Sequence, residues 1–250
     1  IFSLIIGLLF NENSSGGAKI DYIYLLPYIE KFSTSFLEGL DYFLNNSGTI
    51  IHSPIHYILT GYLYKLTQSF LVIKIFYILI SSLLPLVFYF ILKNKYKIND
   101  TYIFLFSLII FLSPYFRSSA IWMLGDNLSL LFFSLSILFY LKTKKLTEIN
   151  KYHFFCLLFL ILCCYIRYYY CLFAFFFLYE FYLKLEIKKI FYLIIFSFFL
   201  SLPVFFYFYY IIINKNFLIT ASYYAKINYP ANFLQVLSIL LFYLLPFFIS

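Results

Sequence analysis

Residues 70–92, FLVIKIFYILISSLLPLVFYFIL, contain a single charged side chain, Lys74, and run straight into Lys93, Lys95 and Lys97. An apolar run of this length exceeds the roughly 20 residues a helix needs to cross a bilayer. Lipid offers the backbone no hydrogen-bond partners, so such a run has to be helical. A transmembrane barrel would instead show short segments of strictly alternating polarity, and the sequence has none. The rest of the chain agrees. Of its 250 residues, 64% are hydrophobic and 11% charged, against about 45–50% and about 25% in soluble domains. The expectation is an all-α, polytopic integral membrane protein forming one transmembrane domain over residues 1–250, in the cytoplasmic membrane if the source is bacterial. Both ends of the sequence fall inside apolar runs, so it reads as an internal piece of a longer chain.

Composition narrows the function classes. The 28 Tyr and 36 Phe sit in a chain rich in Ile, Asn and Lys, as AT-rich coding produces, and read as lipid-facing residues rather than base-stacking ones. The net charge of +8 comes from lysines at the ends of apolar runs, so no nucleic-acid partner is expected. The four cysteines, Cys156, Cys163, Cys164 and Cys171, lack zinc-site spacing with His and read as buried small hydrophobes.

Working outward from residues 70–92, the sequence predicts about eight spans. Residues 1–10 end the first and 70–92 form the second. The next five cover 101–112, 128–141, 152–166, 168–183 and 191–213, and an eighth begins near 233. Residues 11–68 form a loop with helices lying along the membrane surface, for example over 22–32, where apolar residues recur at helical spacing. Residues 50–64, IIHSPIHYILTGYLY, are too short at 1.5 Å per residue to cross about 30 Å of hydrocarbon, and carry His52, Pro54 and His56. They read as a non-crossing helix. Three lysine clusters, at 93–97, 142–145 and 184–189, then fall on one side, which the positive-inside rule makes the cytoplasm.

On the opposite, outer side this layout gathers Asp21, Glu30, Glu38, Asp41, His52, Arg117, Asp126 and Arg167. Arg117 and Arg167 are the only two arginines in the sequence. Arginine offers a planar, permanently charged fork suited to phosphate, and ionisable groups at membrane depth are functional candidates. Plainer roles exist for each. Arg167 can snorkel to the interface, and Asp126 can cap the helix that follows it. Asp21 can be an ordinary loop carboxylate, and His52 and His56 plain interfacial residues.

The order of these landmarks resembles the GT-C superfamily of membrane glycosyltransferases, which use polyprenyl-phosphate-linked sugars. Examples are the protein mannosyltransferases, the aminoarabinose transferase of lipid A and the alpha-1,2-glucosyltransferase of N-glycan assembly. The matching residues are Asp21 in GGAKIDYIYLLPYIEKF, the HSPIHYIL step with Pro54 and Tyr57, the basic KNKYK loop, Asp126 in SPYFRSSAIWMLGDNLSLLFF, and Arg167 in CCYIRYYY. The likeness covers about residues 1–183. Asp21 is followed by Tyr where many relatives have a second acid, and the proline step is Ser-Pro rather than Pro-Pro.

The resemblance implies an inverting sugar transfer at the outer face, from a polyprenyl-phosphate-linked sugar to a glycan, lipid or protein acceptor. In that reading Asp21 is the general base. Arg117 and Arg167 meet the leaving phosphate, with His52 and Asp41 as further substrate contacts. Asp126 orients the acceptor or holds a divalent cation through oxygen. No other cofactor is implied, and metal dependence stays open. The competing readings are a transporter or flippase of lipid-linked sugars and a non-catalytic membrane subunit. A transporter places polar groups near the bilayer midplane, whereas the spans read here carry little charge beyond Lys74 and Glu180.

Overall fold

The computed structural model describes residues 1–14, 16–46, 53–144, 146 and 148–214. All regular structure among them is helical. The order is α1 (Phe2–Leu9), α2 (Ala18–Thr34), α3 (Phe36–Asn46), α4 (Ile55–Thr67), α5 (Phe70–Lys95), α6 (Asp100–Leu108), α7 (Pro114–Ile121), α8 (Gly125–Thr143), α9 (Lys151–Ile166), α10 (Leu172–Tyr182) and α11 (Ile187–Asn214). Short 3-10 turns follow α6 and precede α10. The chain divides into two units. The first holds everything below except the last described turns of α11, beyond Phe205, which fall in the second.

The breaks between helices have local causes. Gln68 adopts a left-handed conformation at φ 51°, which ends α4, and the Ser69 hydroxyl then caps α5 by accepting from the Val72 N–H. At Ser113-Pro114 the proline has no N–H to donate and fixes its own φ, which suits the first turn of a new helix. Ser113 caps that helix by accepting from Phe116. The chain bends by 68° there, between residues 100–112 and α7.

Fewer helices are long and apolar enough to cross a membrane than the sequence suggested. Among the described residues two qualify, Phe70–Lys95 and Ile187–Tyr207, and a third if the bent pair of α6 and α7 counts as one broken span. The expectation of about eight spans is corrected on this point. The run at 152–166 is a helix of 16 residues, about 24 Å long. The run at 168–183 is a 3-10 turn and a helix of 11 residues, about 16 Å. The α8 helix has 19 residues, or about 28 Å, but interrupts its apolar sequence with the buried Ser129, Ser134 and Ser136. The eighth expected span lies outside the described residues.

At 13 residues, α4 is about 20 Å long, short of the hydrocarbon thickness. It packs chiefly against α2, as α3 does, and also touches α5 and α9 of the main bundle. That bundle centres on α5, α8 and α9. Leu4, Ile78, Leu84, Phe116 and Leu131 share one apolar core, and Leu157, Leu160, Phe177 and Phe181 share another. Cys156 is buried in the second and Cys163 is buried too, but Cys164 is only half-buried and Cys171 exposed, so the reading of all four as buried is corrected.

The position of α8 along α5 decides where the site sits. Asn127, at the start of α8, donates from Nδ2 to Ser81 Oγ at 3.0 Å, and Ser81 stands near the middle of α5. Lys144, just past the end of α8, lines a common cavity with Lys95 at the end of α5. The two helices therefore run in the same direction, and α8 begins roughly half-way along α5. The turn that places it there is tightly held. Met123 adopts φ 47°, and the Leu124 N–H reaches back to the Ser119 carbonyl at 3.0 Å. Asn127 Nδ2 also donates to the Phe116 carbonyl at 2.8 Å.

Candidate active site

Asp126 lies in the first turn of α8, where the partial positive charge of a helix N-terminus favours a carboxylate. It does not cap the helix. The N-cap position belongs to Leu124, which makes no side-chain cap. The carboxylate instead meets Arg167, the residue that ends α9 by donating its N–H to the Cys163 carbonyl at 2.9 Å. Arg167 Nε and one Nη each lie 2.7 Å from Asp126 Oδ1. The Arg167 side chain is 20% exposed and that of Asp126 43%, so the pair is anchored but open on one side.

The start of α4 packs onto this pair. The Ser53 hydroxyl donates to the Tyr165 carbonyl. The ring of His56 lies against Gly125, where a Cβ would stand 3.3 Å from it and 2.8 Å from Ile166, so a residue without a side chain lets α4, α8 and α9 close up beside Asp126. A buried chain of hydrogen bonds fixes His56 in turn. Its Nδ1 is 3.1 Å from the Tyr77 hydroxyl, which is 2.7 Å from Thr60 Oγ1.

Asp21, in the first turn of α2, completes the group. Its residue surface is exposed. Partial desolvation nevertheless holds its carboxyl above the usual range, the negative charge of Asp126 adds to this, and the charge of Arg167 opposes it. Buried Tyr57 feels the same three charges. Desolvation pushes its hydroxyl up to about 12, with Arg167 pulling down and Tyr28, Asp126 and Asp21 pushing up. Asp126 and Arg167 are thus in contact, the charges of both reach Asp21 and Tyr57, and His56 packs against Gly125, the residue before Asp126.

The other candidates are placed elsewhere. Arg117, on α7, is bound by Glu12. Its Nε lies 2.7 Å from Oε1 and an Nη 2.5 Å from Oε2, while Ser3 takes two further donors at 3.2 and 3.1 Å. Gly7 makes room for this clamp, since a Cβ there would stand 2.5 Å from Glu12 Oε2 and 3.3 Å from the guanidinium. Arg117 thereby ties α7 to α1. Asp41 lies on the exposed face of α3, its Oδ1 accepting from Asn45 at 3.0 Å, and among the described residues no contact links it to Asp126 or Arg167. His52 lies outside the described residues. Among the described residues no group of three or more His, Cys, Asp or Glu side chains is arranged to hold a metal ion.

Sequence reasoning named Tyr57 only as part of the proline step, and overlooked Glu12 and the placement of His56. The spacing of His56 and Thr60, four apart on one helical face, was the available signal for the last. Glu12 carried none, because its partner is over a hundred residues away. Comparison with protein-family models, curated proteins and solved structures finds no match for this chain.

Proposed function

We propose that the chain is a multi-pass integral membrane glycosyltransferase, moving a sugar from a polyprenyl-phosphate donor to an acceptor hydroxyl at the outer face of the membrane. The observation that supports this reading is the Asp126–Arg167 ion pair, whose two charges reach Asp21 and Tyr57. An accessible carboxylate with a raised proton affinity stands beside an anchored cation, and these are the two groups that acid–base assisted transfer to a charged leaving group needs.

In the proposed step Asp21 accepts the proton of the acceptor hydroxyl as its oxygen bonds to the anomeric carbon. The bond from that carbon to the donor phosphate oxygen breaks, and its electron pair leaves on polyprenyl phosphate. Arg167 stabilises that charge. Asp126 positions Arg167 through Oδ1, which takes both guanidinium contacts. Arg117, committed to Glu12, is assigned to holding α1 and α7 together. The acceptor, whether glycan, lipid or protein, is not specified by these residues. The test is release of polyprenyl phosphate by purified full-length protein in liposomes given a polyprenyl-phosphate hexose and acceptor sugars. Release refuses to depend on the protein if the reading is wrong.

One observation favours a second reading, a transporter or flippase of lipid-linked sugar. The α6–α7 pair is bent, and Asn127, next to Asp126, bonds Ser81 near the middle of α5. Broken helices and charge at that depth characterise transport sites. The accessible, proton-accepting Asp21 has no evident use in passive translocation, and for that reason transfer is preferred.

A further inference from the structure

At the far end of α8 from Asp126, a cavity of about 830 Å³ opens between α5, α8 and α10. Phe88, Ile91, Ile137 and Phe173 are among its apolar walls, and Lys95, Lys144 and Glu180 stand at one end. The two lysines are exposed and take part in no ion pair among the described residues. Glu180 is engaged, its Oε2 accepting from the Tyr140 hydroxyl at 2.6 Å. Lys144 lies over the ring of Tyr140, 5.4 Å from its centre, and Lys95 over Tyr96 at 5.1 Å.

An occupant that fits has an apolar body and an anionic head. We propose that this cavity binds an anionic phospholipid, its acyl chains between α5, α8 and α10 and its phosphate between Lys95 and Lys144. Two features favour a lipid over a soluble anion. The lysines close the end of an apolar cavity rather than a polar one, and they stand at the C-terminal ends of α5 and α8, Lys95 as the last residue of α5, a helix long enough to end at the headgroup level. The inference does not depend on sugar transfer, since Asp126 and Lys144 lie at opposite ends of α8, about 28 Å apart.

The experiment is native mass spectrometry of the purified full chain in detergent, titrated with dioleoyl phosphatidylglycerol or dioleoyl phosphatidylcholine. The wild type is expected to retain the anionic phosphatidylglycerol about tenfold more tightly than the zwitterionic phosphatidylcholine. The double variant Lys95→Gln/Lys144→Gln loses that preference. Lys151→Gln/Lys188→Gln, which removes the same charge elsewhere, keeps it. Ile137→Trp, which fills the cavity, weakens both lipids. Equal loss in the two double variants would reduce the effect to general surface charge and overturn the proposal. So would unchanged binding by Ile137→Trp, which would leave the cavity to a protein segment or a second copy of the chain.

Discussion

Arg167, at the end of α9, lies 2.7 Å through Nε from Oδ1 of Asp126, at the start of α8. The contact joins two helix termini separated by 41 positions, and Asp21 on α2 is close enough to feel both charges. Three elements distant in sequence thus bring two carboxylates and one cation within electrostatic reach of one another.

Replacing Asp21 by Asn removes the proposed base without changing shape. The variant is expected to accumulate normally, since exposed substitutions cost within about 0.5 kcal/mol, and to transfer sugar 10²–10⁴-fold more slowly. The wild-type rate has an acid limb. Because the folded pKa of Asp21 is raised above 3.8, activity falls as pH drops through a midpoint above that value. An initial-rate pH profile measures this, and a midpoint at or below 3.8 would remove Asp21 from the role.

For Arg167 the informative change is to Lys, which keeps the charge but not the fork. Snorkelling requires only a long stem and a positive tip. If the guanidinium serves the donor phosphate and Asp126 together, Arg167→Lys raises the donor KM or lowers kcat by about tenfold or more, with unchanged expression. Steady-state kinetics over donor concentration reads the effect, and wild-type constants in this variant would leave Arg167 a plain interfacial cation.

The Arg117–Glu12 clamp is expected to act on stability alone. Arg117→Lys should lose about 1–3 kcal/mol, as loss of charged hydrogen bonds does, with donor affinity unchanged. The clamp also has a pH sign. Hydrogen bonding from Arg117 lowers the Glu12 pKa below 4.5, so the unfolded chain binds the proton more tightly. The contribution is present above about 4.5 and is lost as pH falls through the lower folded value. Thermal unfolding of wild type and Glu12→Gln across pH 3–6 measures it, and the two curves should approach each other at the acid end.

The proposed topology puts Lys95 and Asn13 on opposite sides of the membrane. Single cysteines at these positions, in a background lacking the four native ones, report the side through an impermeant thiol reagent in intact cells. Labelling is expected at position 13 and protection at 95. The reverse would invert the orientation.

Much of this was legible in the sequence because the signals were local. Apolar runs mark helices wherever the backbone lacks other partners, and Ser113-Pro114 marks a break. The grouping of Asp21, Asp126 and Arg167 was reached from the placement of the lysine clusters. The span count was not legible, because it turns on geometry that hydropathy does not encode. The 3-10 turn after Arg167 shortens a run, 168–183, that reads as continuous. The depth of the site was hidden as well, since it rests on Asn127 meeting Ser81, and no periodicity relates those positions. Arg117 looked equivalent to Arg167 because Glu12, which claims it, is distant in sequence.

The most direct measurement follows both halves of the donor at once. Purified full-length protein in liposomes is given a polyprenyl-phosphate sugar labelled in the sugar and in the lipid, with acceptor present, and compared with Asp21→Asn. The account predicts that wild type separates the two labels, sugar passing to acceptor and label remaining on free polyprenyl phosphate, while Asp21→Asn leaves the donor intact. Movement of both labels together to the other leaflet, undiminished in Asp21→Asn, would contradict it and establish transport instead.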